Sequence, residues 1–416
     1  MNIKINSADI SGEIEAISSK SYAHRALICA ALSDNVSEIY CNTVSDDIIA
    51  TVNSLNALGA DIVYENKIFK VKPIKITPSK KQIDCGESGS TVRFLIPIIC
   101  ALGIETEIVM HGRLPERPLS PLKEILEQNG CKLVKKDNVL LVSGKLEPNT
   151  YEIDGSVSSQ FITGLLFALP IIKGNSKVVV KGKFESKSYV DLTLTVLEKF
   201  GIAYSENNNN FELKSSHYKS AKVEVEGDWS NSAFWLVAGG LLKNGLAVKG
   251  LNINSSQGDK EIVNLLKGFG AKVKVDDNKI FVKNDKLEGM TIDASNIPDL
   301  VPILCVFACF CENETVITNA ERLRIKESDR IKTTVEMINN LGGEAKETAD
   351  GIIISNKKLI GGKVNSYNDH RIAMSAAIAS IICENEVEIV DAGAVNKSYP
   401  TFFEDFKKLG SKLEEV

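Results

Sequence analysis

One pattern of apolar and polar positions returns along the whole chain. Stretches such as Ile48-Ile-Ala-Thr-Val-Asn-Ser-Leu-Asn-Ala-Leu58 and Glu261-Ile-Val-Asn-Leu-Leu-Lys-Gly-Phe269 carry apolar residues three and four apart, the signature of an amphipathic helix. Each ends in a glycine, where a left-handed cap excludes most side chains. The residues after that glycine, as in Ala271-Lys-Val-Lys-Val-Asp276, alternate in the manner of a half-exposed strand. The helix-ending glycines are Gly59, Gly130, Gly201, Gly270, Gly342 and Gly410, with spacings of 71, 71, 69, 72 and 68 residues. Six units of about 70 residues therefore account for the chain.

A second helix is predicted in each unit, opening on a polar cluster and continuing as small apolar residues. The six begin at Ser19-Lys-Ser-Tyr-Ala-His-Arg25, Glu87-Ser-Gly-Ser-Thr-Val-Arg93, Ser158-Ser-Gln160, Asp228-Trp-Ser-Asn231, Ile297-Pro-Asp299 and Asn368-Asp-His-Arg371. Helices apolar all round belong inside a domain. Their starts expose free N–H groups and a partial positive charge, so several aimed at one cleft make an anion site. N-capping explains the Ser, Asp and Asn. It does not explain the added Lys, Arg and His. A 70-residue period is long for an open solenoid, which favours a pseudo-symmetric globular arrangement.

Charge sharpens this picture. The 416 residues carry a formal net charge of −5, which argues against a chain-wide basic surface for nucleic acid. Local concentrations of cations are then informative. Lys20, Ser21 and Arg25 can grip a phosphate or carboxylate. Gly86-Glu-Ser-Gly89-Ser90-Thr91 with Arg93 reads as a phosphate cradle. In His111-Gly-Arg-Leu-Pro115-Glu116-Arg117-Pro118 the prolines stiffen a charged loop. The densest cluster, Arg322-Leu-Arg324-Ile-Lys326-Glu327-Ser328-Asp329-Arg330, mixes signs. There a carboxylate among cations is expected to stay ionised and a lysine among acids protonated. Asp369-His370-Arg371 heads a buried helix, where either an anionic ligand or an Asp–Arg pair offsets the buried charge. Together with Lys397, these clusters point to a cleft for small phosphorylated anions; composition and spacing name no substrate.

Length suggests two or three domains, with apolar material enough for a core that needs neither disulfide nor metal. Nine cysteines without a repeated CxxC spacing suggest a reducing cytosol, and Cys305, Cys309 and Cys311 read as small buried hydrophobes in a helix. The N-terminus has no signal-peptide apolar stretch and no run is long enough to span a membrane, so a soluble cytoplasmic protein is expected.

The ordered series Ser19-Lys-Ser with Arg25, Gly89-Ser-Thr-Val-Arg93, Glu116-Arg-Pro118, Ser158-Ser-Gln160, Ile297-Pro-Asp299, Lys326-Glu-Ser-Asp-Arg330 and Asn368-Asp-His-Arg371 resembles the 5-enolpyruvylshikimate-3-phosphate synthase family across essentially the whole chain. The resemblance implies a two-domain inside-out α/β barrel of six repeats, three per domain. The domains would be residues 1–15 plus 229–416 and residues 16–228, with the active site in a cleft that closes on substrate. It implies transfer of the enolpyruvyl group of phosphoenolpyruvate to the 5-hydroxyl of shikimate 3-phosphate, with loss of phosphate through a tetrahedral intermediate.

By position, Lys20, Ser21, Arg25, Ser158, Ser159, Gln160, Ser186, Asp299 and Lys326 would bind shikimate 3-phosphate. Lys20, Gly89, Arg117, Gln160, Arg330, Arg371 and Lys397 would bind phosphoenolpyruvate. Asp299 would be the base toward the 5-hydroxyl, Glu327 would move the proton at C3, and Lys20 would aid the departing phosphate. No metal or organic cofactor is implied, and a glyphosate-sensitive monomer is. Glu87, Phe94 and Arg322 depart from the residues expected there, respectively Asn, Pro and Asn, the last beside the substrate. The sister enzyme acting on UDP-N-acetylglucosamine shares the architecture, but the 111–117 loop lacks its cysteine and Ser21 stands in place of its Asn. A non-catalytic anion-binding protein would need the cations but not Asp299 and Glu327.

Overall fold

The computed structural model describes residues 1–6, 10–75 and 80–416. The chain forms two compact units, Lys20–Val225 and Met1–Ser19 with Glu226–Val416, each with its own apolar core. Ile14, Ala16 and Ile17 pack in the same core as Trp229, so the N-terminal segment of that unit runs on to Ser19.

The Lys20–Val225 unit holds helices α1 (Lys20–Ala31), α2 (Asp46–Ala57), α3 (Gly89–Leu102), α4 (Leu122–Gln128), α5 (Ser159–Ala168) and α6 (Lys187–Lys199). The other holds α7 (Trp229–Leu241), α8 (Ile262–Gly268), α9 (Val301–Ala308), α10 (Arg330–Asn340), α11 (His370–Ala379) and α12 (Phe402–Lys408). The fold is α/β.

The sheets share one plan. Lys80–Asp84 runs parallel to Glu105–Val109, which pairs antiparallel with Val139–Gly144, and that strand in turn with Cys131–Lys136. Helix α3 joins the two parallel strands, as a parallel crossover requires, and a hairpin joins the last two. Among the described residues, five further four-stranded sheets have the same order. In two of them the parallel edge strand comes from a distant part of the chain: Lys222–Glu224 lies beside Ser37–Tyr40, and Glu13–Glu15 beside Leu246–Lys249. In a third, Ile3–Asn6 sits between Val387–Val390 and Lys412–Glu415.

Helices α1, α3, α5, α7, α9 and α11 are buried over nearly their whole lengths, as their apolar composition predicts. The other kind keeps one wet face: in α2 only Ile48, Thr51, Ser54 and Leu55 are buried. Close packing demands small residues. A side chain at Gly164 of α5 would come within 2.5 Å of the Arg93 carbonyl on α3. The six helix-ending glycines all have positive φ: 114° at Gly59, 91° at Gly130, 74° at Gly201, 99° at Gly270, 88° at Gly342 and 110° at Gly410. Cys305 lies in α9, whereas Cys309 and Cys311 fall just past its end at Ala308. All three are buried, as are the other six cysteines.

Candidate active site

Capping accounts for part of the polar helix starts. Ser88 accepts from Thr91 N, Ser158 from Gln160 N, Asp228 from Asn231 N, Asp329 from Lys332 N and Asp369 from Arg371 N. The charged residues beside these caps have other partners, and they form one cluster in each unit.

In the Lys20–Val225 unit, Lys20 Nζ donates to Asp47 Oδ2 at 2.7 Å. Asp47 stands in the first turn of α2, 27 residues away, where sequence reading sees only an acidic helix start. Arg25 is buried and donates to the Ser21 carbonyl at 2.7 Å, the Tyr189 carbonyl at 2.9 Å and Thr193 Oγ1 at 2.8 Å. Its guanidinium lies over the Phe94 ring, 5.1 Å from the centroid, so the Phe that departs from the expected Pro has a packing role. Burial lowers the Arg25 guanidinium to about 10. Ser186 precedes α6 with φ of 51°, a strained conformation for a non-glycine, and its carbonyl accepts from Tyr189 N.

Arg93 ties the starts of α3 and α5 to the 111–118 loop. It donates to Gln160 Oε1 at 2.8 Å and to the Pro118 carbonyl at 3.1 Å, while Gln160 Nε2 donates to Ser90 Oγ at 2.9 Å. The 111–118 loop thus hangs on α3, and it sets Arg117 against Gly89: a Cβ at Gly89 would lie 2.7 Å from Arg117 Nη1. A cavity of about 320 Å³ adjoins Arg93, Leu114, Arg117 and Leu119. The Glu87 carboxylate packs against Gly112 of the same loop.

In the other unit, Arg330 is the hub. It donates through Nη1 to Asp299 at 2.7 Å, through Nη2 to Glu327 at 2.6 Å and through Nε to Asp369 at 2.8 Å. Burial works against its charge, but Asp369, Glu327 and Asp299 together raise its affinity for the proton. The Asp369 side chain therefore pairs with Arg330 and caps the backbone N–H of Arg371. Arg371 reaches Asp299 Oδ2 at 3.5 Å and the Ser230 carbonyl at 3.4 Å. Lys326 lies 3.8 Å from Asp299 Oδ1, and Lys397 donates to the Asn368 carbonyl at 2.7 Å. Arg322 donates to the Ser295 carbonyl at 2.8 Å and so braces the turn that carries Asp299.

Burial alone would raise the Asp299 carboxyl, yet Arg371, Lys326 and Arg330 hold it well below its ordinary value, as a carboxylate among cations should be. The lysine behaves otherwise. Burial pulls Lys326 down to about 8; Asp299 and Glu327 resist, and the Arg330 and Arg322 charges reinforce the fall. The ammonium is thus held less tightly than a count of neighbouring acids implies, because two guanidiniums and loss of water outweigh them, though a value of about 8 still leaves it mostly charged at neutral pH. Among the described residues no group of three or more His, Cys, Asp or Glu is placed to hold a metal ion. No helix among them is long and apolar enough to cross a membrane.

Cations suited to phosphate or carboxylate, beside carboxylates suited to proton transfer, are the chemistry a group-transfer enzyme for small phosphorylated anions requires. The family model described as EPSP synthase (3-phosphoshikimate 1-carboxyvinyltransferase) matches residues 5–406. The 3-phosphoshikimate 1-carboxyvinyltransferase of Clostridium novyi (strain NT) is 45% identical, with 100% of this chain and 98% of that one covered. The enzyme of that name from Clostridium perfringens (strain 13 / Type A) is 43% identical over 99% of each. A solved EPSP synthase from Acinetobacter baumannii shares the fold, with a TM-score of 0.82 at 23% identity over all of both chains. This chain belongs to the EPSP synthase family. It is a shikimate-pathway transferase that moves the enolpyruvyl group of phosphoenolpyruvate to shikimate 3-phosphate.

Proposed function

We propose that the two clusters serve one reaction, with both substrates held in a cleft formed by the two domains, whose bounds fall a few residues from the expected 15/16 and 228/229, at Ser19/Lys20 and Val225/Glu226. Both domains are read as three-repeat inside-out barrels; the shared strand order of the six sheets and the buried crossover helices support this. Lys20, Ser21, Arg25, Ser158, Ser159, Gln160, Ser186, Asp299 and Lys326 take shikimate 3-phosphate. Lys20, Gly89, Arg117, Gln160, Arg330, Arg371 and Lys397 take phosphoenolpyruvate. Neither cluster is read as sufficient by itself: the first brings Lys20, Arg25 and Arg117, the second the paired acids Asp299 and Glu327 with Arg330, Arg371 and Lys397.

The observation that carries the reading is that Asp299 and Glu327 share Arg330 while Arg371 and Lys326 flank Asp299. Held by these cations, Asp299 is a weak base. An arriving phosphate or carboxylate competes for the guanidiniums, and Asp299 becomes more basic as they turn to the ligand. It then takes the proton of the 5-hydroxyl as that oxygen bonds to C2 of phosphoenolpyruvate and C3 gains a proton. Loss of phosphate from C2 and of a proton from C3 restores the double bond. Glu327 handles the C3 proton and Lys20 steadies the departing phosphate. These steps need neither metal nor organic cofactor. We place the protein in the cytoplasm as a monomer that engages neither nucleic acid nor membrane; its nine buried free cysteines support a reducing compartment.

The test is phosphate release from phosphoenolpyruvate in EDTA, with shikimate 3-phosphate or UDP-N-acetylglucosamine as acceptor. Release with the shikimate ester alone is expected. Release with the nucleotide sugar alone would transfer the chain to the sister activity, and release with neither would leave an anion-binding protein.

A further inference from the structure

Asp259 has no place in the reaction described above, yet it is buried within the same cluster of charges. It lies in a short 3-10 turn, Gly258–Glu261, ahead of α8. The Ser230 hydroxyl donates to Asp259 Oδ2. Ser230 is the second residue of α7, and the segment before Asp259 is fastened to the same helix start. Gln257 accepts from Trp229 N at 3.2 Å and donates to the Gly227 carbonyl at 2.9 Å, while Trp229 Nε1 donates to the Asn252 carbonyl at 3.0 Å. The carbonyl of Ser230 in turn accepts from Arg371, whose other nitrogen faces Asp299. A continuous path runs from Asp259 through Ser230 and Arg371 to Asp299.

We propose that Asp259 is a positioning residue for Arg371: through Ser230 it fixes the first turn of α7 against the Arg371 guanidinium, and so sets the affinity for phosphoenolpyruvate. The proposal rests on the reading of Arg371 as a phosphoenolpyruvate ligand. A plain packing role would be met by an apolar side chain, whereas burying a carboxyl costs free energy unless its bonds and charge are used.

The charges facing Asp259 come from three directions: Asp228 at the α7 cap, Asp299 ahead of α9, and Arg371 on α11. Burial, aided by Asp299 and Asp228, pushes the carboxyl up to about 7, while Arg371 and the Ser230 hydroxyl oppose the rise. Below that pH Asp259 is neutral and leaves the Arg371 charge to the incoming anion. Above it the carboxylate competes for Arg371, so phosphoenolpyruvate binding weakens as pH rises through neutrality.

The experiment measures kcat and both KM values between pH 6 and 9 for the parent, Asp259→Asn, Asp259→Ala and Arg371→Lys. Arg371→Lys should raise KM for phosphoenolpyruvate about tenfold or more; if it does not, the reading of Arg371 fails whatever Asp259 does. At pH 6, where Asp259 is neutral, Asp259→Ala should raise the same KM about fivefold while KM for shikimate 3-phosphate stays within about twofold. Asp259→Asn keeps an acceptor for Ser230 but cannot ionise. It should retain the parent's KM at pH 6 and lose the parent's rise above neutrality. If Asp259→Ala does not fold, the pH profile of Asp259→Asn decides alone. A profile superimposable on the parent's, or an Ala loss shared equally by both substrates, overturns the proposal.

Discussion

Arg330 and Asp299, 31 residues apart in sequence, are joined by a 2.7 Å bond from Nη1 to Oδ1. The same guanidinium also holds Glu327 and Asp369. Removing that cation would leave three carboxylates crowded together without their shared partner. Arg330→Ala should therefore destabilise the protein by about 3–5 kcal/mol, the usual cost of stranding buried charge. Arg330→Lys should recover little of this, because an ammonium cannot reach three acids from one plane. Urea melts of the two variants measure it; a midpoint unchanged in Arg330→Ala would contradict the hub.

The depressed Asp299 carboxyl has a consequence at acid pH. A group whose folded value lies below its unfolded value adds stability that is present above the unfolded value, about 4, and is lost as pH falls through the folded one. The parent should be more stable than Asp299→Asn at neutral pH, and the two should converge below about pH 4. A stability gap constant from pH 7 to pH 3 would rule this out.

Asp299→Ala and Glu327→Ala should each abolish turnover, by about a thousandfold or more, while the folded proteins still bind phosphate esters. Calorimetric titration with shikimate 3-phosphate beside a kcat measurement separates the two effects. Retained activity in both variants would remove these residues from their assigned roles.

Lys326 should set an alkaline limb on substrate binding. With its ammonium lowered to about 8, KM for shikimate 3-phosphate should climb above that pH as the charge is lost. Lys326→Arg should move the limb upward by more than about one pH unit, since a guanidinium keeps its proton. A limb in the same place in the Arg variant would point to another group.

At Gly89 the expectation is damage to binding without damage to the fold. A methyl there would meet Arg117 Nη1 at 2.7 Å, and the far end of that side chain can swing away cheaply. Gly89→Ala should keep its melting temperature within about 2 °C, raise KM for phosphoenolpyruvate about tenfold and spare shikimate 3-phosphate. The unsubstituted enzyme should be inhibited by glyphosate; full activity at millimolar glyphosate would contradict the family-based expectation.

Much of this is legible in the sequence for local reasons. The six glycines announce left-handed caps because no other residue adopts that φ cheaply, and each one has it. The alternation of buried and wet helices comes from side-chain periodicity. Long-range pairing stays hidden. Nothing near Lys20 announces Asp47, and nothing near Arg25 announces Thr193, which arrives from 168 residues away. Asp369 is visible as a partner for an arginine, but its neighbour Arg371 looks nearer than Arg330, which the fold brings in from α10. The direction of the Lys326 shift is concealed for the same reason: burial and the Arg322 and Arg330 charges act together there, and a linear count of acids and bases weighs none of them.

The strand Ile3–Asn6, lodged between Val387–Val390 and Lys412–Glu415, gives the molecule a timetable. During synthesis Ile3–Asn6 must wait about 380 residues for Val387–Val390, and longer for Lys412–Glu415, before their sheet can close. The Lys20–Val225 unit draws all its strands from one continuous run and can be finished while the rest is still being made. Residues 2 and 416 also lie side by side, with Val416 N donating to the Asn2 carbonyl at 3.1 Å. A short linker could therefore join them, and new ends could be opened in a surface turn elsewhere. Such a rearranged chain would hold the strand and its partners in consecutive order, and the wait would vanish.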